Sequence, residues 1–360
     1  MNIKSLKLKN FRNYEKLDLT FEKGLNVFVG KNAQGKTNIL EAIYFSALGK
    51  SFRPCKDKEI IQWNKESGKT EINFKNRFRN KKIEVFFQKN QKKSIKIDKI
   101  SIKKIVSLLG ELTIVFFSPD ELKLIKDSPE ERRRFMNINI SQTDKKYFYN
   151  LSRYEKILQN RNKLLKTTKE FGSLSDTIDI WDKALCEVAE KISVARKSFV
   201  DGILPYAKKA HEYISNGSEN FDMKYKSMPE INSSYKENML KQLQKNLEKD
   251  YRLGFTSIGP HRDDIDLFIN GVEVKNYGSQ GQQRTVALAL KLAELESLKE
   301  RTGEYPILLL DDVFSELDEN RREKLLKFTS RTQTFITCTE FNYKMKDVEI
   351  FQVVDGKIKK

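Results

Sequence analysis

The sequence predicts an α/β fold: a mixed sheet with a phosphate-binding loop at its core and an antiparallel β meander beside it, interrupted by an inserted, mainly α-helical domain. Three observations predict it. Gly30-Lys31-Asn32-Ala33-Gln34-Gly35-Lys36-Thr37 fits G-x-x-x-x-G-K-[ST]. Tyr305 to Asp312 is an apolar run ending in two carboxylates. Between them, from about Thr143 to Ile214, apolar residues recur at helical spacing. The expected division is a sheet domain over 1–128, a helical insert over 129–252, and the rest of the sheet domain over 253–360.

Taken in order, residues 2 to 9 and 16 to 21 read as two strands, the second with Leu17, Leu19 and Phe21 on one face. Leu25 to Val29 is a short apolar run that reads as a buried strand. The loop follows it directly. Glycines let its backbone turn tightly and bring N–H groups against phosphate oxygens, where a Cβ would obstruct. Lys36 places a positive charge at the β- and γ-phosphates, and the Thr37 hydroxyl is a candidate Mg²⁺ ligand. Ile39, Leu40, Ile43, Ala47 and Leu48 then repeat at helical spacing until Gly49, so a helix N-terminus completes the anion site. Strand, loop and helix together predict nucleoside triphosphate binding through residues 30–38, Asn38 included.

Gly49-Lys50-Ser51-Phe52-Arg53 is a basic turn; Arg53 is either a phosphate contact or a solvated side chain. Ile72/Phe74, Ile83/Val85/Phe87 and Ile95/Ile97 alternate and predict a meander with lysine-rich turns. Thr113 to Phe117 is another buried strand. Ser118-Pro119-Asp120-Glu121 and Ser128-Pro129-Glu130-Glu131 each carry a capping-box pattern, and each is expected to open a helix. Some of Arg132, Arg133 and Arg134 should pair with carboxylates, because three consecutive residues cannot share one helix face. Phe148, Leu151, Tyr154, Leu158 and Leu165 mark one helix; Trp181, Leu185, Val188, Ile192, Ala195 and Phe199 mark a second. With Phe171-Gly172-Ser173 as the break, these predict an antiparallel helical hairpin. Asn216 to Ser234 reads as a loop with one strand, and Tyr235 to Tyr251 as a further helix. The sheet is expected to resume near Phe255, with Asn270-Gly271 as a type I′ hairpin turn. Gly259-Pro260-His261-Arg262-Asp263-Asp264 is a polar cluster that either contacts ligand or forms a charged loop.

Composition narrows the function. The 360 residues hold 68 Lys+Arg against 50 Asp+Glu, a formal net charge of +18. That excess suits a polyanion binder more than a small-molecule kinase. Cys55, Cys186 and Cys338 are far apart and odd in number, with neither zinc spacing nor a disulfide framework. His211 and His261 are too few for histidine-based metal chemistry. No apolar run approaches a membrane span and no signal-peptide block opens the chain, so a cytoplasmic location is expected.

The second half of the expected site lies downstream. Beside a P-loop, Asp311 at a strand end is positioned to hold Mg²⁺ through water, and Asp312 to orient and deprotonate the attacking water. Ser315-Glu316-Leu317-Asp318 follows. Upstream, Tyr277-Gly278-Ser279-Gln280-Gly281-Gln282-Gln283-Arg284-Thr285 opens a helix with Val286, Leu288, Ala289 and Leu292 on its apolar face. This is a second helix start able to receive an anion.

The order of P-loop, helical insert, S-x-G-Q-Q, L-L-L-D-D and S-E-L-D resembles the ABC-type ATPase heads of the chromosome-maintenance (SMC) family. Gly35-Lys36-Thr37-Asn38, Leu48-Gly49-Lys50-Ser51-Phe52-Arg53, Phe117-Ser118-Pro119-Asp120-Glu121-Leu122, Arg132-Arg133-Arg134-Phe135 and the Gly259–Asp264 cluster are similar to its short-insert members in bacterial DNA repair. The resemblance implies that Ser279, Gly281 and Gln282 form the L-S-G-G-Q-like signature, which closes over the γ-phosphate held by a second protomer. It thereby makes Lys36, Ser279 and Asp312 the catalytic residues. It further implies an ATP-dependent homodimer that clamps duplex DNA near single-strand gaps, with RecR and RecO as partners, loading of RecA as the outcome, and slow, DNA-stimulated hydrolysis as release. Two departures stand out: the catalytic acid is Asp312 rather than Glu, and Ile336-Thr337-Cys338-Thr339 stands where many relatives carry a switch histidine. The lid glutamine expected between Phe117 and Leu122 is also missing. The alternatives are another SMC-like DNA-associated ATPase, an ABC-headed nuclease using Asp263, Asp264 and Asp266, and an ATPase subunit of a membrane transporter.

Overall fold

The computed structural model describes residues 1–359, with Ser175 and Asp176 described only as part of their helix. The chain forms two compact units, one of Met1–Glu121 with the chain from Leu288 onward, the other of Leu122–Ala287.

The first unit begins with β1 (Asn2–Phe11) and β2 (Tyr14–Thr20), an antiparallel pair. Leu6 and Leu8 of β1 face the core while Lys7 and Lys9 face solvent, the period of two that half-buried strands require, and a register shift between Ile3 and Ser5 lets Ile3 face the core as well. β3 (Leu25–Val29) leads through the P-loop into α1 (Lys36–Leu48), which Gly49 ends in the left-handed conformation. α1 has no polar face: Ile39, Leu40, Ala42, Ile43, Phe45 and even Glu41 are completely buried. Such a helix needs cover all round, and α1 has it, touching both sheets of this unit. β4 (Ser67–Lys75), β5 (Asn80–Gln88), β6 (Ser94–Ile97) and β7 (Ile100–Ile102) form the meander, one strand longer than the alternation predicts. They join the first hairpin in one antiparallel sheet, β2-β1-β4-β5-β6-β7. β8 (Ile114–Phe117) is the last strand before the insert.

The second unit opens on α2 (Lys123–Lys126) and α3 (Pro129–Thr143). Here two expectations need correction. The first Ser-Pro pattern opens only a 3₁₀ turn, Pro119–Leu122, and Ser128 stands at the start of α3 without a side-chain capping bond. The proline ring supplies helical φ at the first position without help from the serine hydroxyl. α4 (Lys145–Thr167) and α5 (Phe171–Ser215) are the hairpin; the break is Thr168–Glu170, and Phe171-Gly172-Ser173 is already the first turn of α5. β9 (Phe221–Lys226) follows. The helix expected over Tyr235 to Tyr251 is two, α6 (Tyr235–Lys245) and α7 (Leu247–Leu253), separated at Asn246.

β10 (Asp264–Ile269) and β11 (Val272–Glu273) form the expected hairpin, with Asn270 and Gly271 both at positive φ. They do not resume the first sheet. β10 pairs with β9 in a separate three-stranded sheet, which places the chain through Ala287, α8 (Val274–Tyr277) included, with the insert rather than with residues 1–128. The boundaries expected at 128 and 252 therefore move to 121 and 287. The division falls within α9 (Gln280–Thr302).

A buried ion cluster ties the second unit together. Arg161 of α4 donates Nε to Asp182 of α5 at 2.5 Å and Nη1 to Asp250 of α7 at 2.9 Å and to the Thr256 hydroxyl at 2.9 Å, and all of them are buried. Removing the guanidinium would leave two carboxylates in a dry interior. Arg161→Leu is therefore expected to destabilise this unit by about 3–5 kcal/mol. Thermal unfolding with α4 and α5 reporters would read it as a drop of roughly 10 °C.

The first unit is completed by β12 (Ile307–Asp311), α10 (Glu319–Thr329), β13 (Thr334–Cys338), β14 (Val348–Val354) and β15 (Lys357–Lys359). Its second sheet has the order β15-β14-β3-β13-β12-β8, parallel throughout except for β15. β12 and β13 are buried on both faces, which is why β12 reads as a continuous apolar run.

Candidate nucleotide site

The loop after β3 owes its shape to close approaches. A Cβ on Gly30 would lie 2.3 Å from the Val353 carbonyl oxygen. Gly35 has φ of 106°, and a Cβ there would lie 2.3 Å from the Asn13 side-chain nitrogen. Both positions exclude any other residue. Asn13 donates to the Gln34 carbonyl at 3.3 Å and Tyr14 donates its hydroxyl to the Gly35 carbonyl at 3.1 Å. From the other side the Asp355 amide donates to the Gln34 side chain at 2.5 Å and the Gly356 amide to its carbonyl at 3.2 Å. Lys31, Asn32 and Ala33 form the exposed crest, and α1 starts at Lys36 with no acidic side chain in its first turn. Its N-terminal amides thus present an uncompensated positive end.

Lys36 is buried and folds back over the loop, donating to the carbonyls of Gly30 at 2.5 Å and Lys31 at 2.9 Å. Burial pulls its pKa below the ordinary lysine value, opposed by Asp312 and Asp311. Asp311, at the end of β12, accepts from the Thr37 hydroxyl at 2.8 Å and from the Thr337 hydroxyl at 2.6 Å. The Thr337 oxygen in turn accepts the Asp312 amide at 3.0 Å. Asp312 has φ of 50°, a left-handed turn that separates its carboxylate from that of Asp311. Burial raises its pKa, the Asp311 charge raises it further, and Lys36 opposes both. Lys36, Thr37, Asp311 and Asp312 thus lie together at the ends of β3 and β12. The signature residues Ser279, Gly281 and Gln282 lie in the second unit.

Sequence reading missed Arg12, Asn13, Tyr14 and Thr337. Arg12 donates Nε at 3.0 Å and Nη2 at 2.5 Å to the fully buried Glu41, which also accepts from Ser51 at 2.6 Å and Arg53 at 3.2 Å. Arg53 reaches the Asn38 side chain at 3.1 Å, and Asn38 donates to Asn13 at 2.8 Å. The only signal was Glu41 itself, a carboxylate on an otherwise apolar helix that demands cationic partners. Beside the loop Arg12, Asn13, Asn38 and Arg53 line a groove of about 410 Å³ with Ile61 and Trp63, which is 90% exposed.

Where a switch histidine was absent from the sequence, Cys338 ends β13. Burial pushes its thiol up to about 12, so it faces Lys36 as a neutral group. The Gly259–Asp264 cluster resolves toward architecture. His261 Nε2 faces the Thr256 carbonyl at 2.9 Å and Nδ1 faces the Tyr154 hydroxyl at 2.6 Å, so Nε2 carries the proton and Nδ1 accepts. Burial lowers its pKa to about 4, keeping the ring neutral. Asp263 accepts from Ser193 and Tyr225, and Asp264 from Arg132 in a bidentate pair. Asp266 lies 3.6 Å from Lys226, and no group of three metal-binding side chains occurs among the described residues. No helix among the described residues is long and apolar enough to cross a membrane.

Comparison with known proteins gives the family. Residues 2–358 match the family described as the RecF/RecN/SMC N terminal domain. The chain is 44% identical over 362 residues to the DNA replication and repair protein RecF of Clostridium kluyveri, covering 99% of each. Among solved structures it is similar to the recombination mediator protein RecF-ATPrS of the RecFOR pathway, with a TM-score of 0.91 and 38% identity over 99% of this chain and 97% of that one. Its likeness to the RecF-ATP form has a TM-score of 0.89 and 37% identity, with the same coverage.

Proposed function

Because this chain belongs to the RecF/RecN/SMC N-terminal domain family, on its RecF branch, we propose that it is an ATP-dependent DNA-binding protein of replication and repair that pairs on ATP and releases on hydrolysis. The observation that carries the proposal is the convergence of Lys36, Thr37, Asp311 and Asp312 at the ends of β3 and β12. ATP is the triphosphate found with the similar RecF.

In this reading the amides of residues 30–38 hold the β- and γ-phosphates, and Lys36 exchanges its loop carbonyls for phosphate oxygens. The groove beside Arg12, Asn13 and Asn38 takes the sugar and base, with Trp63 as an apolar face. Thr37 and Asp311, two hard oxygens 2.8 Å apart, would hold a Mg²⁺ ion, Asp311 through water, and the ion would neutralise charge on the phosphates. Thr337 holds Asp311 by its hydroxyl and Asp312 by its amide, so the two carboxylates stay in register. Asp312 accepts the proton of the attacking water. Ser279, Gly281 and Gln282 of one protomer complete the site of the other, so that ATP bridges two half-sites and gives the pair an affinity the separate protomers lack. The net charge of +18 supports a DNA-phosphate surface. RecR and RecO as partners, RecA loading, preference for gap junctions and DNA stimulation of turnover belong to the same proposal, as do Mg²⁺ and a cytoplasmic site of action.

Sedimentation of the purified protein with and without ATP·Mg²⁺, and with a gapped duplex at two salt concentrations, tests it. An ATP-dependent dimer is expected, with DNA affinity falling by about 0.9 log units per log unit of salt for each phosphate contact. A monomer indifferent to ATP and DNA would overturn the clamp. Ser279→Arg is expected to keep ATP on the monomer and lose ATP-driven pairing; normal pairing by that variant would remove Ser279 from the interface.

A further inference from the structure

The signature serine is held by a chain of hydrogen bonds that begins outside the signature. Ser279 and Gln282 cap each other at the start of α9: the Ser279 amide donates to Gln282 Oε1 at 2.8 Å, and the Gln282 amide donates to Ser279 Oγ at 3.2 Å. The other end of the Gln282 side chain, Nε2, donates to Glu219 Oε1 at 2.8 Å. Glu219 lies in the turn between α5 and β9, more than sixty positions upstream. Its second oxygen, Oε2, is 3.5 Å from Nε2 of His211. His211 is completely buried near the end of α5, stacked on Phe221 at 5.4 Å.

The chemistry of the three groups sets a direction. An ionised carboxylate only accepts hydrogen bonds, whereas a primary amide presents a donor at one end and an acceptor at the other. Facing Glu219, the Gln282 amide must turn its NH₂ that way and its oxygen toward the Ser279 amide. Reversed, it would set NH₂ against N–H and the cap would fail. Ser279 Oγ receives the Gln282 amide in the capped arrangement, which fixes its rotamer while the residue stays exposed.

We propose that Glu219 is a positioning residue for the signature: by orienting the Gln282 amide it sets Ser279 in the rotamer that meets the γ-phosphate of a second protomer. The inference rests on the composite-site reading above and deepens it. It also gives the helical insert a route to the ATP site of the second protomer, since α5 ends and β9 begins at the Glu219 turn.

The test compares Glu219→Leu, Glu219→Gln and Ser279→Arg for ATP affinity of the dilute monomer, ATP-driven dimerisation and melting temperature. Glu219→Leu should bind ATP on the monomer within about twofold of wild type. Its pairing in ATP should need about tenfold more protein, the effect of one lost hydrogen bond to a charged group. Glu219→Gln retains an acceptor oxygen for Gln282 Nε2 and should recover most of the loss, a rescue that a bulk-stability effect would not give. If Glu219→Leu pairs like wild type while Ser279→Arg does not, the positioning role is wrong and the composite site stands. If both pair normally, the composite site falls and this inference with it. Should Glu219→Leu melt too low to assay, Glu219→Gln and Gln282→Met decide: the inference requires near-normal pairing by the first and a deficit in the second, and the reverse would overturn it.

Discussion

Lys36→Ala is expected to weaken ATP binding by roughly a hundredfold or more, the loss of two charge-assisted bonds to phosphate, and with it all ATP-driven pairing. The loop should survive the substitution. Its shape is held by Asn13, Tyr14, Asp355 and Gly356, none of which touches the Lys36 ammonium. The lost ammonium leaves the carbonyls of Gly30 and Lys31 facing a phosphate, a repulsion added to the missing attraction. Equilibrium binding of a fluorescent ATP analogue measures the effect, and circular dichroism checks the fold. Near-normal affinity in this variant would remove the P-loop assignment.

Asp312→Asn is expected to bind ATP as wild type does and to hydrolyse it about 10²- to 10⁴-fold more slowly, the range for removing a general base. Dimers should then accumulate in ATP, visible as a persistent fast-sedimenting species. The pH profile gives a second readout. Because burial and Asp311 raise the Asp312 pKa, the carboxylate forms only above the ordinary range. Wild-type turnover should therefore rise with pH through a value higher than the usual 3.9 for Asp, and the variant should lose that limb. The sign for stability is opposite: a carboxyl whose folded pKa is raised opposes folding once ionised, so the nucleotide-free Asn variant should melt no lower than wild type. Undiminished turnover would take Asp312 out of the base role.

The parts of the fold legible in the sequence are those in which one local rule acts. The P-loop needs two glycines for two separate reasons, one steric and one conformational, and both positions could be read directly. β3 and β12 announced themselves as apolar runs because they are buried almost throughout. The Asn270-Gly271 turn followed from its two positive φ values. What could not be read depended on pairing between distant segments. Nothing local tells β10 to join β9 in a sheet of its own, so the boundary after the insert was placed at 252 instead of 287. Arg12 and Thr337 act through partners 29 and 26 positions away, and neither stands in a recognisable motif. The capping patterns failed in the other direction: proline alone was enough to start each turn, and the serine hydroxyl was left unused.

The place of β3 in its sheet has a consequence for synthesis. Its two neighbours are β13 and β14, both made after Thr334, and the loop that follows it is gripped by Asp355 and Gly356. A nascent chain that has emerged as far as α9 carries the whole P-loop sequence but no strand on either edge of β3. Until β13 and β14 have been made, β3 is a short, apolar strand open on both edges, the kind of surface that invites mispairing with other chains. The P-loop therefore takes its shape only after residues 334–356 have been made and have joined β3.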